Sequence, residues 1–344
     1  MPVTSPPARP TARPPLAPGS VSLRVYPVSD EPRAAIAGAR AQAIMAEAVG
    51  FDGCMVSEHH GGFPNYFPNP IQVASWLLES TERIWCAPCP LVLPLRPTSQ
   101  VIEDAAWAAL RYGGRFGLGL AAGALPVDFD LAGVPFGERN ARFRAALAEV
   151  VAHLAPQRRG ERQPRGSPLD GDPAVGARPE VPMVVAAQSR AAAERAARLG
   201  VGVLFDSLQS PSWLAELASV YRAAGGAGPV VGIRRVAIGP EPRQHMERQR
   251  QRYLGYAPDA ARAHWDPDDG LLAGEHPGEL ADRLVAFAAQ TGCDSVDLRV
   301  FLAGMTIGEV LDQVEHLGEG VLGPLRSAWA RTAAPAGPDD GAAT

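Results

Sequence analysis

The sequence predicts an α/β protein folded as a (β/α)8 TIM barrel, with an insertion loop and disordered termini. Three observations predict it. Short apolar runs alternate eight times with amphipathic helical segments along the chain. No sustained antiparallel pattern interrupts that alternation. The length, 344 residues, exceeds a single barrel of about 250 residues by enough for one insertion and two tails. A doubly wound parallel sheet is the alternative arrangement of the same alternation.

Residues 1–19 are rich in Pro, Ala and Arg and read as a disordered tail. Residues 22–28 alternate like a first strand. Residues 34–48 carry a helical apolar stripe that stops at Gly50, a residue suited to a left-handed helix end. Residues 53–57 form a second strand and 71–80 a helix with one apolar face. Residues 83–95 are a long apolar strand region broken by Pro88 and Pro90. A helix over 99–111 ends at Gly113-Gly114, a strand follows at 116–120, and a long helix covers 138–154.

Residues 155–181 lose all periodicity and read as an insertion loop rather than a domain boundary. Strand and helix then alternate again over 183–186, 190–199, 202–205, 211–224 and 230–238. A polar, Arg/Gln-rich helical stretch spans 242–256, and a loop runs on to Gly274. A helix at 277–290, a strand at 295–300 and a helix at 307–325 complete the pattern. One barrel domain over residues 20–332 is expected, with a second disordered tail at 333–344.

Hydrophobic residues make up 46% and charged residues 20% of the chain, enough to bury a large core. The net charge of −5 and the lack of a dominant basic face predict no nucleic-acid partner and no anionic membrane surface. The basic run at 157–162 sits among Pro and Gly and reads as solvated surface. No stretch approaches the roughly 20 apolar residues of a membrane span. The N-terminus lacks the apolar core of a secretory signal, so a cytoplasmic protein is expected. Cys86 and Cys89 have CxxC spacing, but no second pair follows and the segment reads as strand. Small strand-facing side chains are the expectation, without a metal.

The run Val56-Ser57-Glu58-His59-His60 carries the chemistry. An apolar strand ends abruptly in an acid and two imidazoles, which cannot face a core without partners. The C-terminal end of a barrel strand is where such residues stop filling a core and start lining a site. Neighbours on a strand point to opposite faces, so His59 and His60 are not expected to chelate one metal. The plainer reading is a satisfied polar cluster at a strand end. Phe63 and Tyr66 follow in a loop rich in Gly, Pro and Asn, where they either wall a pocket or pack the loop.

The ordered set of motifs resembles the bacterial luciferase-like flavin-dependent monooxygenases. The residues that carry the resemblance run from Gly50-Phe51-Asp52 and Ser57-Glu58-His59-His60 to Asn69-Pro70 and Thr81-Glu82-Arg83-Ile84. They continue through Leu91-Val92-Leu93-Pro94-Leu95-Arg96, Glu103-Asp104 and Gly113-Gly114-Arg115-Phe116 to Phe129, Gly133-Val134-Pro135-Phe136 and Glu138-Arg139. Leu298-Arg299-Val300 and Gly304-Met305 close the set. The resemblance spans residues 20–330.

The resemblance implies reduced FMN at the C-terminal mouth, supplied by a flavin reductase in two-component members. It implies O2 activation as a C4a-peroxyflavin that oxygenates a small organic substrate, and a homodimer, with the helices at 71–80 and 99–111 as the interface. His59 is the family's catalytic histidine, suited to proton transfer near neutrality. Glu58 then orients the cluster, and His60, Phe63 and Tyr66 face the substrate. Cys89-Pro90 matches a cis peptide beneath the flavin ring, and an ordinary trans proline at a bulge is equally open. Gln188 and Ser189, opening a helix after a strand, match the phosphate site and also suit a plain N-cap.

The sequence departs from the family at Ala122 and Ala124, flanking Gly123, where many members carry Arg and then an aromatic. Arg139 is the nearby cation that compensates in this reading. The departure keeps two alternatives open, an F420-dependent oxidoreductase and a non-catalytic flavin-binding barrel. The stretch 243–252 lies where the family has a mobile active-site loop, and a solvated helix is the other reading.

Overall fold

The repeating unit is set by β1 (Val21–Arg24), α1 (Pro32–Val49) and β2 (Gly53–Val56) of the computed structural model, which describes residues 13–156, 166–239, 243–254, 265 and 270–333. Local chemistry dictates where α1 begins and ends. The Glu31 carboxylate accepts from Arg33 N at 2.9 Å and Ala34 N at 2.6 Å, satisfying two of the free amides of the first turn. Ala35, Gly38, Ala39, Gln42, Ala43 and Ala46 bury one stripe, and Gly50 ends the helix at a φ of 100°.

The alternation continues through α2 (Pro70–Glu79), β3 (Trp85–Pro88), β4 (Leu91–Val92), α3 (Thr98–Arg111) and β5 (Leu118–Ala121). Next come α4 (Pro126–Ala132), α5 (Arg139–Leu154), α6 (Pro173–Gly176), β6 (Met183–Ala186), α7 (Arg190–Leu199) and β7 (Gly202–Phe205). The last elements are α8 (Pro211–Ala223), β8 (Val230–Ile238), α9 (Arg243–Leu254), β9 (Leu271–Gly274), α10 (Pro277–Thr291), β10 (Ser295–Arg299), α11 (Ile307–Gly320) and α12 (Leu322–Ala333).

Every pairing between these strands is parallel, in the order β3-β2-β1-β10-β8-β7-β6-β5-β4, with β9 on β8. The ring closes where Cys86 of β3 bridges Phe116, just ahead of β5. There Cys86 N donates to Arg115 O at 2.9 Å, and Gly117 N donates to Cys86 O at 3.1 Å. A (β/α)8 barrel results: β4 continues β3 past Pro90, and β9 is added to β8.

The barrel interior holds Met55, Trp85, Ala87, Cys89, Val184, Leu204 and Val231. Two glycines make this packing possible. A Cβ on Gly53 would lie 2.1 Å from the Trp85 indole, and one on Gly119 would lie 2.1 Å from Cys89 Sγ. Leu16, only 2% exposed, belongs to the same cluster and fills the barrel from below. Asp52 accepts from Val21 N at 2.8 Å and from Arg326 at 2.9 Å, with Arg13 3.6 Å away. The disordered tail expected over residues 1–19 is therefore corrected from Arg13 onward, because one apolar side chain there plugs the barrel. Residues 1–12 and 334–344 lie outside the described residues, as do 157–165 of the insertion loop.

Four further differences separate the expected elements from the fold. The proline-broken strand over 83–95 divides into β3 and β4. A short helix, α4, occupies the stretch after β5. The loop expected before Gly274 contains β9, and the helix expected over 307–325 breaks at Val321 into α11 and α12. Cys54, Cys86, Cys89 and Cys293 are all buried free thiols. No helix among the described residues is long and apolar enough to cross a membrane.

Candidate active site

β2 ends at Val56, and the next four residues lie at the C-terminal mouth of the barrel. Glu58 is buried, with Glu58 N donating to Pro90 O at 3.3 Å. Its carboxylate is fully engaged. It accepts from Val92 N at 2.6 Å, from His60 Nε2 at 2.7 Å and from both terminal nitrogens of Arg96. The hydrogen bond to Glu58 raises the His60 pKa above its ordinary value, with burial opposing. Arg96 in turn faces Asp104, whose carboxyl burial pushes up and Arg96 pulls back down.

His59 belongs to a different carboxylate. Its Nδ1 lies 2.9 Å from Asp128 Oδ2, while Asp128 Oδ1 accepts from His60 N at 2.8 Å. A carboxylate accepts only, so Nδ1 carries the proton and Nε2 is the remaining ring nitrogen. Asp128 is buried in the first turn of α4, where the helix N-terminus favours an anion. The ring of His59 packs against Phe63 at 4.7 Å and Tyr66 at 4.5 Å. Tyr66 meets Tyr26 edge-on at 5.4 Å, and Tyr26 lies 5.4 Å from Phe301, so aromatic rings continue across the mouth to the end of β10. The turn that brings Phe63 back is formed by Gly61 and Gly62, with φ of 65° and 70°.

The peptide Cys89-Pro90 is cis. The Cys89 carbonyl points inward, accepting from Arg24 at 2.9 Å and from Ser57 Oγ at 3.3 Å, and burial pushes the Cys89 thiol up to about 12. Ala122 and Gly123 follow β5, half-buried; Gly123 has φ 83°, and a Cβ there would stand 2.7 Å from both Val92 and Phe129. Gln188 and Ser189 follow β6 and are exposed. Ser189 caps α7, accepting from Ala192 N at 3.3 Å, and Gln188 reaches Asp206 at 3.5 Å. Arg139 instead lies 3.9 Å over the Phe136 ring and donates to Phe136 O at 3.0 Å. The structure therefore brings Glu58, His59, His60, Phe63, Tyr66 and Pro90 together, leaves Gln188 and Ser189 after β6, farther round the barrel, and engages Arg139 with Phe136.

Sequence reasoning missed Asp128, Arg96, and the pair of Arg24 with Asp297. Arg24 and Asp297 occupy alternate positions of strands β1 and β10 that are buried on both faces. A charge in such a strand is itself a signal, because it must find a partner inside. No group of three metal-type ligands occurs among the described residues. A separate cavity of about 130 Å³, lined by Leu16, Met183, Gly202 and Pro229, opens at the opposite face of the barrel, remote from the histidines.

The family model for luciferase-like monooxygenases matches residues 19–319. The chain belongs to this family. By sequence it is 32% identical over 84 residues to 3,6-diketocamphane 1,6-monooxygenase of Pseudomonas putida, covering 24% of this chain and 22% of that protein. The chain thus spans between 22% and 32% of the first curated relatives it matches. By structure it superimposes on the oxygenating constituent of 3,6-diketocamphane monooxygenase from Pseudomonas putida in complex with FMN. That match has a TM-score of 0.68 at 18% identity, over 89% of this chain and 98% of the other. An F420-dependent secondary alcohol dehydrogenase holding an F420-acetone adduct gives a TM-score of 0.68 at 17% identity, over 90% and 99%. Both likenesses are of fold.

The residues of the mouth fit a flavin-type cofactor at the ring end. Pro90 and the His59–Tyr66 aromatic group offer apolar surface beside the His59 Nε2, which makes no hydrogen bond among the described residues. The phosphate end is lean in charge: α7 offers its first-turn amides and Ser189, Ala122 supplies no cation, and Asp206 stands beside Gln188.

Proposed function

We propose that this protein is a reduced-FMN-dependent monooxygenase acting on a small organic substrate, of the two-component type served by a flavin reductase, working as a cytoplasmic homodimer. The observation that carries the reading is the His59–Asp128 pair at the strand end, beside Cys89-Pro90. In this reading Pro90 supports the ring, and Gln188, Ser189 and the α7 amides hold the phosphate. Bound reduced flavin supplies the electrons that activate O2.

The chain's own residues manage protons and water. His59, fixed by Asp128 in one tautomer, accepts or delivers a proton at Nε2. His60, held by Glu58, stands beside the mouth with its pKa raised by that bond, while Arg96 shares the same carboxylate. Phe63 and Tyr66 exclude water from the His59 ring.

Stopped-flow mixing of the protein and reduced FMN with oxygenated buffer tests the reading. An oxidation phase slower than that of free FMN, shortened in His59→Ala while flavin affinity persists, supports it. Oxidation at the free-FMN rate would refute it. Ala122 and Ala124, which weaken the case for FMN, leave one second reading, an F420-dependent oxidoreductase transferring hydride without O2, which tight F420 binding would establish.

A further inference from the structure

Four charged or polar groups meet inside the barrel just below the mouth. Arg24 Nε lies 2.5 Å from Asp297 Oδ2, with both side chains almost wholly buried. Asp297 Oδ1 also accepts from Ser22 Oγ at 2.7 Å. Beyond this ion pair, Arg24 directs hydrogen bonds to the site. Nη1 donates to Ser57 Oγ and to Cys89 O, the latter at 2.9 Å. Burial opposes the guanidinium charge, but Asp297 together with Tyr26, Cys89 and Tyr66 outweighs it and keeps Arg24 cationic.

We infer that Arg24 is a positioning residue for the site. Its Nη1 meets both the Cys89 carbonyl, ahead of Pro90, and Ser57, the residue before Glu58-His59-His60, while Nε faces Asp297. Beside the direct Glu58 N–Pro90 O and Ser57 Oγ–Cys89 O bonds, this one guanidinium fixes from inside the barrel how the peptide assigned to the flavin ring sits against the strand end carrying the histidines. Asp297 holds the guanidinium in place from β10. Hydrophobic residues would have filled the same volume without the desolvation of two charges, so the core at this height serves geometry as well as packing. The inference rests on the flavin reading for its ligand measurement and on the apo protein for the other.

The test compares wild type with Arg24→Met/Asp297→Leu, which removes both buried charges together, and with Arg24→Lys, which keeps the charge but leaves one nitrogen to serve Asp297, Ser57 and Cys89. Melting temperature, FMN affinity by fluorescence titration, and His59 and His60 ring resonances in the apo protein across pH are read for each. The double variant is expected to fold, to bind FMN about tenfold more weakly, the loss of one charge-assisted hydrogen bond, and to shift the His59 titration. Arg24→Lys is expected to show both effects, and it decides the matter if the double variant does not fold. Folded variants with wild-type FMN affinity and an unmoved His59 titration would overturn the inference and leave Arg24 a core ion pair. If wild type binds no FMN, the flavin reading fails, and the His59 resonances alone decide: a shift upholds the role of Arg24, and no shift ends it.

Discussion

Asp128 lies 69 residues beyond His59 in the chain, yet its Oδ2 stands 2.9 Å from the His59 Nδ1. With its other oxygen on His60 N, one buried carboxylate from α4 locks both the ring and the backbone of the histidine pair. Replacing Asp128 by Asn removes the anion and allows the ring to take the other tautomer. Turnover is expected to fall by about 100-fold or more, with little change in flavin affinity. Steady-state rates and ¹⁵N shifts of the His59 ring check both parts.

His60 makes stability depend on pH with a definite sign. Its folded pKa is raised by Glu58 above the ordinary value of 6.5. The raised group therefore contributes stability that is fully present below the unfolded pKa and lost as pH rises through the folded one. The stability difference between wild type and His60→Asn should narrow as pH rises above the ordinary value of 6.5 and through the raised folded one. Urea denaturation across that range measures it, and a gap that widens with pH would contradict the Glu58–His60 bond.

Gly119 has no room for a side chain. A Cβ there would stand 2.1 Å from Cys89 Sγ and 2.9 Å from Cys89 Cα, so part of the clash is with backbone that cannot rotate away. Gly119→Ala is expected to cost about 1–3 kcal/mol as an overpacked core, seen as a lower denaturant midpoint at constant slope.

Leu16 closes the barrel from below. Leu16→Ala is expected to cost about 2–5 kcal/mol, and Leu16→Asp to cost more because it buries a charge without a partner. Thermal unfolding of the two variants should fall in that order.

The alternation of elements and the strand end at Glu58-His59-His60 were legible because each is a local pattern: a period, a cap, an abrupt change of polarity. Asp128 was not, because an acid between Val127 and Phe129 looks like any exposed helix residue, and only the fold places α4 against the 59–60 backbone. Arg96 was hidden for the same reason, its partner Glu58 lying 38 residues earlier. Leu16 was masked by the prolines around it, which give the segment the composition of a tail although one side chain is 2% exposed. Arg139 shows the opposite case. Its charge suggested an anion, whereas a neighbouring aromatic ring and carbonyl engage it.

The four buried cysteines give the molecule a built-in clock. Cys89 lies inside the barrel at the mouth, Cys54 and Cys86 pair across β2 and β3, and Cys293 precedes β10. Burial pushes the Cys89 and Cys293 thiols up to about 12, so in the closed fold neither forms the reactive thiolate near neutral pH. A thiol reagent therefore modifies them at the rate at which the surrounding strands open. Mass spectrometry of the labelled peptides would time separately the opening of the mouth, the first half-barrel and the last strand.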